Sequence, residues 1–137
     1  EVVRERMEYP ALRRRAIRLA EKWASDSNFF TGHKLVTVLI EDKSSGQALI
    51  QELKAKTKLN VVSIMPDNDK ITRASTCSPQ VEDGKVSLLV GASWKDDYVS
   101  EMTVFPNATH DDQVDSTSQF LNWIGSNGRA GFTDLFL

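Results

Sequence analysis

The chain has 137 residues, 40% of them hydrophobic and 26% charged, with a formal net charge of -2. That describes one globular domain or part of one, long enough for a real core. No apolar run approaches the ~20 residues of a membrane-spanning helix, no secretory signal is visible, and a single cysteine, Cys77, excludes an internal disulfide and suits a reducing compartment.

Glu1 to Met7 reads as a strand end or connector, so the chain is expected to begin mid-domain. Pro10 suits a helix start, and Leu12, Ala16, Leu19, Ala20 and Trp23 recur at helical spacing. Arg13, Arg14, Arg15, Arg18 and Lys22 then line a solvated basic face. After a polar stretch from Ser25 to Lys34, the run Leu35 to Ile40 predicts a strand buried on both faces. Gln47 to Lys56 predicts a short amphipathic helix and Asn60 to Met65 a second strand closed by Pro66. Strand, helix and strand in this order form a βαβ unit with a right-handed crossover.

Asp69 to Asp83 predicts a helix that Pro79 bends or breaks and Gly84 ends. Lys85 to Val90 predicts a third strand, at a sheet edge. Ser93 is a candidate cap for a helix with Trp94, Tyr98 and Met102 on one face. These aromatics and Trp123 belong to the core rather than to a base-stacking surface, and Cys77 is expected to be a buried small hydrophobe. A last helix follows Phe105-Pro106-Asn107, with Val114, Thr117, Leu121 and Ile124 as its buried stripe. Gly125 to Gly131 is a flexible run, and Phe132 to Leu137 a terminal segment open to docking, partner binding or disorder.

The most informative residues open that last helix. Asp111, Asp112 and Asp115 fall within five positions, with Asp111 and Asp115 one turn apart on one face. Carboxylates so close repel unless a cation neutralises them, and hard divalent cations take oxygen ligands. Acids also gather at helix starts for the dipole alone, and Thr109 with Asp112 resembles a capping box. A second acidic pair, Glu41 and Asp42, stands at the carboxyl end of the strongest strand, where open α/β sheets place their sites. His33 and His110 are too far apart in sequence for zinc-site spacing. Residues 1–70 hold 13 Lys/Arg against 10 Asp/Glu, and residues 71–137 hold 4 against 9. A basic half beside an acidic half suits a surface that grips a phosphate backbone around an acidic metal site.

Several blocks carry a family resemblance. Val38-Leu39-Ile40-Glu41-Asp42-Lys43-Ser44-Ser45-Gly46 resembles the second acidic motif of the phage terminase large subunit. Phe105-Pro106-Asn107-Ala108-Thr109-His110-Asp111-Asp112-Gln113-Val114-Asp115 resembles its third. Met7-Glu8-Tyr9-Pro10, Asp69-Lys70-Ile71-Thr72-Arg73-Ala74 and Pro79-Gln80-Val81-Glu82-Asp83-Gly84-Lys85-Val86 match in order and spacing, and the likeness runs from about Val3 to Ile124.

The resemblance implies an α/β, RNase H-like three-layer fold, a mixed sheet flanked by helices, here truncated at the N-terminus. Residues 1–124 would be the partial nuclease domain and residues 125–137 a flexible C-terminal tail. The implied activity is cutting of concematerised viral DNA during packaging, by hydrolysis with two Mg²⁺ or Mn²⁺ ions. Glu41 matches the strand-end metal ligand with Asp42 as an adjacent candidate. Asp111 or Asp112 matches the helix ligand, and Asp115 stands behind them. Lys43, Lys70, Arg73 and His110 are candidates for contact with the DNA backbone; the histidine alternatively orients a ligand or caps the helix. Implied partners are double-stranded DNA, the small terminase subunit and the portal protein, in the cytoplasm of a bacterial host during virion assembly.

The family's first-strand catalytic Asp has no counterpart here, and no Gly-rich Lys-Ser/Thr phosphate loop is present. This chain is therefore expected to be a fragment or truncated prophage remnant, weakly active or inactive by itself. Two other readings stand beside the first: a non-catalytic remnant or assembly module that binds other packaging proteins, and a Holliday-junction resolvase-like nuclease.

Overall fold

The computed structural model describes residues 1–25, 37–66, 68–127 and 135–136. The expected polar stretch to Lys34, the strand start at Leu35-Val36, His33 and most of the segment after Asn127 lie outside the described residues. The chain forms two compact units, Arg4–Met65 and Glu1–Val3 with Pro66–Leu137.

In the first unit, α1 (Tyr9–Ser25) has Pro10 in its first turn, as expected, with the Ala11 and Leu12 amides donating to the Glu8 carbonyl at 2.9 and 3.0 Å. Strands β1 (Val38–Glu41) and β2 (Val61–Ile64) pair in parallel, with Val38 opposite Val61 and Glu41 opposite Ile64. Parallel neighbours need a crossover, which α2 (Ser45–Lys56) supplies. Leu49, Ile50 and Leu53 of α2 meet Val61 in the core, with Leu12, Ala16, Ile17, Val38 and Ile40 packed around them. Burying one such aliphatic side chain contributes roughly 1.5–3 kcal/mol. Outside this core Glu52 gathers the Tyr9 hydroxyl at 2.9 Å and Arg13 Nε at 2.8 Å, tying α1 to α2.

In the second unit, α3 (Lys70–Glu82) is capped by Asp69, whose carboxylate accepts from the Thr72 amide at 3.0 Å and hydroxyl at 2.7 Å. Of the two outcomes expected at Pro79, a bend or a break, the helix does not break. The carbonyl of Ser75, deprived of its usual amide partner four residues on, accepts from the Ser78 hydroxyl at 3.0 Å, so the helix carries the proline within its last turn. It ends as the sequence indicated: Gly84 takes φ +71°, its amide donates to Val81 and that of Lys85 to Gln80, each at 3.0 Å. This is a Schellman ending, which needs a left-handed residue at the glycine's position.

The third strand is shorter than Lys85 to Val90: β3 (Val86–Ser87) pairs in parallel with β4 (Leu135–Phe136). Helix α4 (Lys95–Val104) starts two residues after Ser93, with Trp94 at its cap and no side-chain capping bond. Asp96 and Asp97 in its first turn complement the dipole instead. Helix α5 (Asp112–Asn127) packs on α3 and α4 and continues through Gly125, where the sequence suggested a flexible run. Val114 and Leu121 are buried as expected; Thr117 and Ile124 are half-buried, and Gln113 and Ser118 complete the inner face. Cys77 and Tyr98 are core residues, and Trp94 meets Tyr98 edge-on at 5.8 Å.

Candidate functional site

In the first unit the end of β1 carries Glu41 and Asp42. The Asp42 amide donates to Ile64 at 2.8 Å, prolonging the strand ladder by one bond, and its carboxylate accepts from the Ser63 hydroxyl at 2.8 Å. Lys43 Nζ lies 3.2 Å from Glu41 Oε1. The loop into α2 doubles back so tightly that a Cβ on Gly46 would sit 2.0 Å from the Glu41 carbonyl oxygen. Glycine there fixes the backbone beneath Glu41, and a bond from the Gly46 amide to Lys43 at 2.8 Å closes the turn.

The second unit holds the acid-rich start of α5. Its opening amides are received by Glu101 of α4, a buried side chain only 6% exposed. Glu101 Oε1 accepts from the Gln113 amide at 2.6 Å and the Val114 amide at 3.3 Å, while Oε2 accepts from Gln113 Nε2 at 2.7 Å. A carboxylate at this point satisfies orphan N–H groups and meets the positive end of the helix dipole. Glu101 was not singled out from the sequence, although Trp94, Tyr98 and Glu101 share one helical stripe, and an acid on an apolar stripe is a signal.

The acids themselves divide by environment. Asp112 is exposed, as is His110. Asp111 Oδ1 accepts from Lys70 Nζ at 2.8 Å, and the same ammonium lies 3.5 Å from Asp115 Oδ2. Asp115 Oδ1 accepts from Arg73 Nη2 and from Gln119 Nε2, the latter at 3.2 Å. Arg73, expected at a DNA surface, is instead buried: Nη1 donates to the Asn68 carbonyl, and its own carbonyl accepts from Asn122 Nδ2 at 3.0 Å. The hydrogen bond to Asp111 raises the Lys70 ammonium above the ordinary lysine range. Burial would push the Asp115 carboxyl upward, yet bonds from Arg73 and Gln119 hold it below the ordinary aspartate range.

A family model for the terminase RNaseH-like domain matches residues 1–123. The chain belongs to the terminase RNase H-like family. Neither a search of curated proteins nor one of solved structures finds a significant match. Membership accounts for the α/β fold and gives this terminase domain a nuclease-type role, with DNA and packaging proteins as partners in general. No helix among the described residues is long and apolar enough to cross a membrane.

RNase H-like nucleases generally use divalent metals. Among the described residues no group of three or more His, Cys, Asp or Glu is placed to hold a metal ion. Two carboxylates do converge on one cationic atom, Lys70 Nζ. Mg²⁺ is commonly held by one or two carboxylates with water completing its shell. In this structure Asp111 and Asp115 are thus paired with cations of the protein itself, Lys70 and Arg73.

Proposed function

We propose that this domain is the nuclease of a viral DNA-packaging terminase large subunit, a metal-dependent endodeoxyribonuclease cutting concatemeric double-stranded DNA. The observation that carries the reading is the acid-bearing first turn of α5, held in place by buried Glu101, in a chain of the terminase family. In that unit Asp111 and Asp112 would hold Mg²⁺ or Mn²⁺, with Asp115 supporting them through its bonds to Arg73 and Gln119. In the other unit Glu41 is the strand-end ligand that the resemblance assigns, with Asp42 beside it. The chemistry that bound ions supply is activation of a water and neutralisation of the leaving 3′-oxygen.

The chain's own residues position these groups. Gly46 and the β-ladder fix the backbone at Glu41, and Glu101 fixes the start of α5. Lys43 and His110, both exposed, and Lys70 are suited to the phosphate backbone; Arg73 is spent on Asp115. The small terminase subunit and portal protein are the packaging partners proposed, in the host cytoplasm during assembly.

The test is calorimetric titration of Mn²⁺ and Mg²⁺ into the chain and into Asp112→Asn, with plasmid nicking in parallel. Binding that the substitution abolishes supports the reading; equal binding by both proteins removes Asp112 from the metal site. A second reading, a non-catalytic assembly module, is favoured by the pairing of Asp111 and Asp115 with Lys70 and Arg73, which leaves them neutralised without metal. Such a module would tolerate both Glu41→Gln and Asp112→Asn without loss of partner binding.

A further inference from the structure

Helix α1 carries charge of almost one sign. Its 17 residues include Arg13, Arg14, Arg15, Arg18 and Lys22 against one acid, Glu21, with no acid in the first turn. Arg14, Arg18 and Lys22 are exposed and recur every four residues, so they form a stripe down one face. The opposite face, with Leu12, Ala16 and Ile17, is packed on the core residues of α2, which fixes the helix beneath the stripe. Arg13 is tied to Glu52, but that acid also receives Lys56, so one carboxylate serves two cations. Arg14 and Arg18 form no ion pair among the described residues, and the Lys22 ammonium lies 4.9 Å from the centre of the Trp23 ring. Like charges four residues apart repel, so the stripe works against the helix that carries it. The unit around it has the same bias: residues 4–65 hold 12 Lys/Arg against 7 Asp/Glu, and the rest of the chain holds 5 against 12. Among the described residues of α1 no large hydrophobic side chain is exposed, which leaves the stripe without the apolar flank that a lipid-binding helix inserts.

We propose that Arg14, Arg18 and Lys22 form a sequence-independent grip on the phosphate backbone of double-stranded DNA. The choice of DNA rests on the nuclease reading above, and the stripe adds the surface that holds that substrate. At 1.5 Å of rise per residue the three cations span about 12 Å. Each strand of the duplex offers a phosphate per ~3.4 Å of axis, so all three can meet one backbone. Two of them are arginines, whose planar forks match phosphate oxygens in pairs. Contacts of this kind position a duplex and read no bases. A polyanion laid along the stripe removes the repulsion within it, so binding and helix stability favour the same state.

The experiment follows binding of the full chain to a short fluorescein-labelled duplex by anisotropy, in EDTA, from ~50 to ~200 mM salt. Chelation keeps metal binding and cleavage out of the readout. Three phosphate contacts contribute a slope of about −2.7 to log K against log salt. The variant Arg14→Gln/Arg18→Gln/Lys22→Gln is expected to lose that slope and to bind on the order of a hundred-fold more weakly at ~0.1 M salt. Arg14→Lys/Arg18→Lys, which keeps the charges, should keep the slope. A control of the same net charge, Lys54→Gln/Lys58→Gln/Lys85→Gln, should bind as the wild type does. Thermal unfolding checks that each protein is folded. Should the triple variant prove unstable, Arg14→Gln and Arg18→Gln are read singly, each expected to lower the slope by about 0.9. Equal slopes for the wild type and the α1 variant, or equal losses in that variant and the control, overturn the grip and leave the nuclease reading intact. No duplex binding by the wild type across this range overturns both. Capture by phosphatidylserine vesicles in place of the duplex would assign the face to a membrane surface and overturn the proposal.

Discussion

Replacing Glu101 with glutamine tests whether the acid helix is anchored by a buried charge. Glu101 Oε1 serves the Gln113 and Val114 amides at 2.6 and 3.3 Å, and Oε2 serves the Gln113 side chain at 2.7 Å. In Glu101→Gln the remaining carbonyl oxygen can still face the two amides. The new NH₂ group, however, opposes that of Gln113, which must flip its own amide to restore a bond. A charge-assisted bond contributes about 1.5–3 kcal/mol and a neutral one about 0.5–1.5, so each contact weakens by about 1 kcal/mol. Relief of the carboxylate's own desolvation offsets part of this, leaving a net loss of about 2 kcal/mol. Glu101→Ala strands three donors and is expected to lose more, about 3–4 kcal/mol.

Urea unfolding followed by tryptophan fluorescence reads both values. For a domain of this size, 2 kcal/mol corresponds to a fall of about 6–8 °C in melting temperature. Amide exchange adds a local readout, since the Gln113 and Val114 amides should lose protection before the rest of α5. If Glu101→Gln stays within about 0.5 kcal/mol of wild type, the normal range for a surface change, the reasoning is refuted. So is it if Glu101→Ala is no worse than the glutamine variant.

Two further outcomes follow from the packing. Gly46→Ala should destabilise by about 2 kcal/mol, as overpacking does, because its Cβ would meet the Glu41 carbonyl oxygen at 2.0 Å; an unchanged melting temperature would mean the loop opens freely. Asp115→Asn should lower stability by about 3 kcal/mol at neutral pH by leaving Arg73 buried without its charge partner. Because the folded-state pKa of Asp115 is depressed, its stabilisation is present above about pH 4 and lost as pH falls through the folded value. Melting curves from neutral to strongly acid pH should therefore fall for the wild type and fall less steeply for Asp115→Asn; parallel profiles would contradict the assignment.

What the sequence made legible was mostly local. The parallel β1–α2–β2 unit follows from one apolar run, one amphipathic run and a short second strand, and the ends of α3 follow from Asp69 and Gly84. Errors arose where a neighbour supplied what the local pattern lacked. Pro79 reads as a bend or a break, and the Ser78 hydroxyl, by taking up the Ser75 carbonyl, lets the helix run on. Thr109 reads as half of a capping box, whereas the amides of α5 go to Glu101, twelve residues before Gln113. Arg73 reads as a surface cation because nothing local shows that Asp115, 42 positions away, will receive it in the interior. Propensity and periodicity describe a segment's own face, and these partners belong to another segment's face.

The same long-range partners separate the roles of three aspartates that the sequence presents as equals. Asp115 is tied to a buried arginine and to Gln119, so its first duty is to hold α3 against α5, and its loss should be felt as instability. Asp112 is exposed and stands just ahead of the residue that Glu101 grips, so its carboxylate is positioned without being spent on packing. Asp111 lies between these cases, its carboxylate held among the described residues by a lysine that is itself part exposed. Substitutions should therefore grade in opposite directions along the cluster. From Asp115 to Asp112 the penalty in folding shrinks, while the penalty in ion binding grows. Three carboxylates can therefore share one helix start, because the one that is hardest to solvate is already neutralised from within.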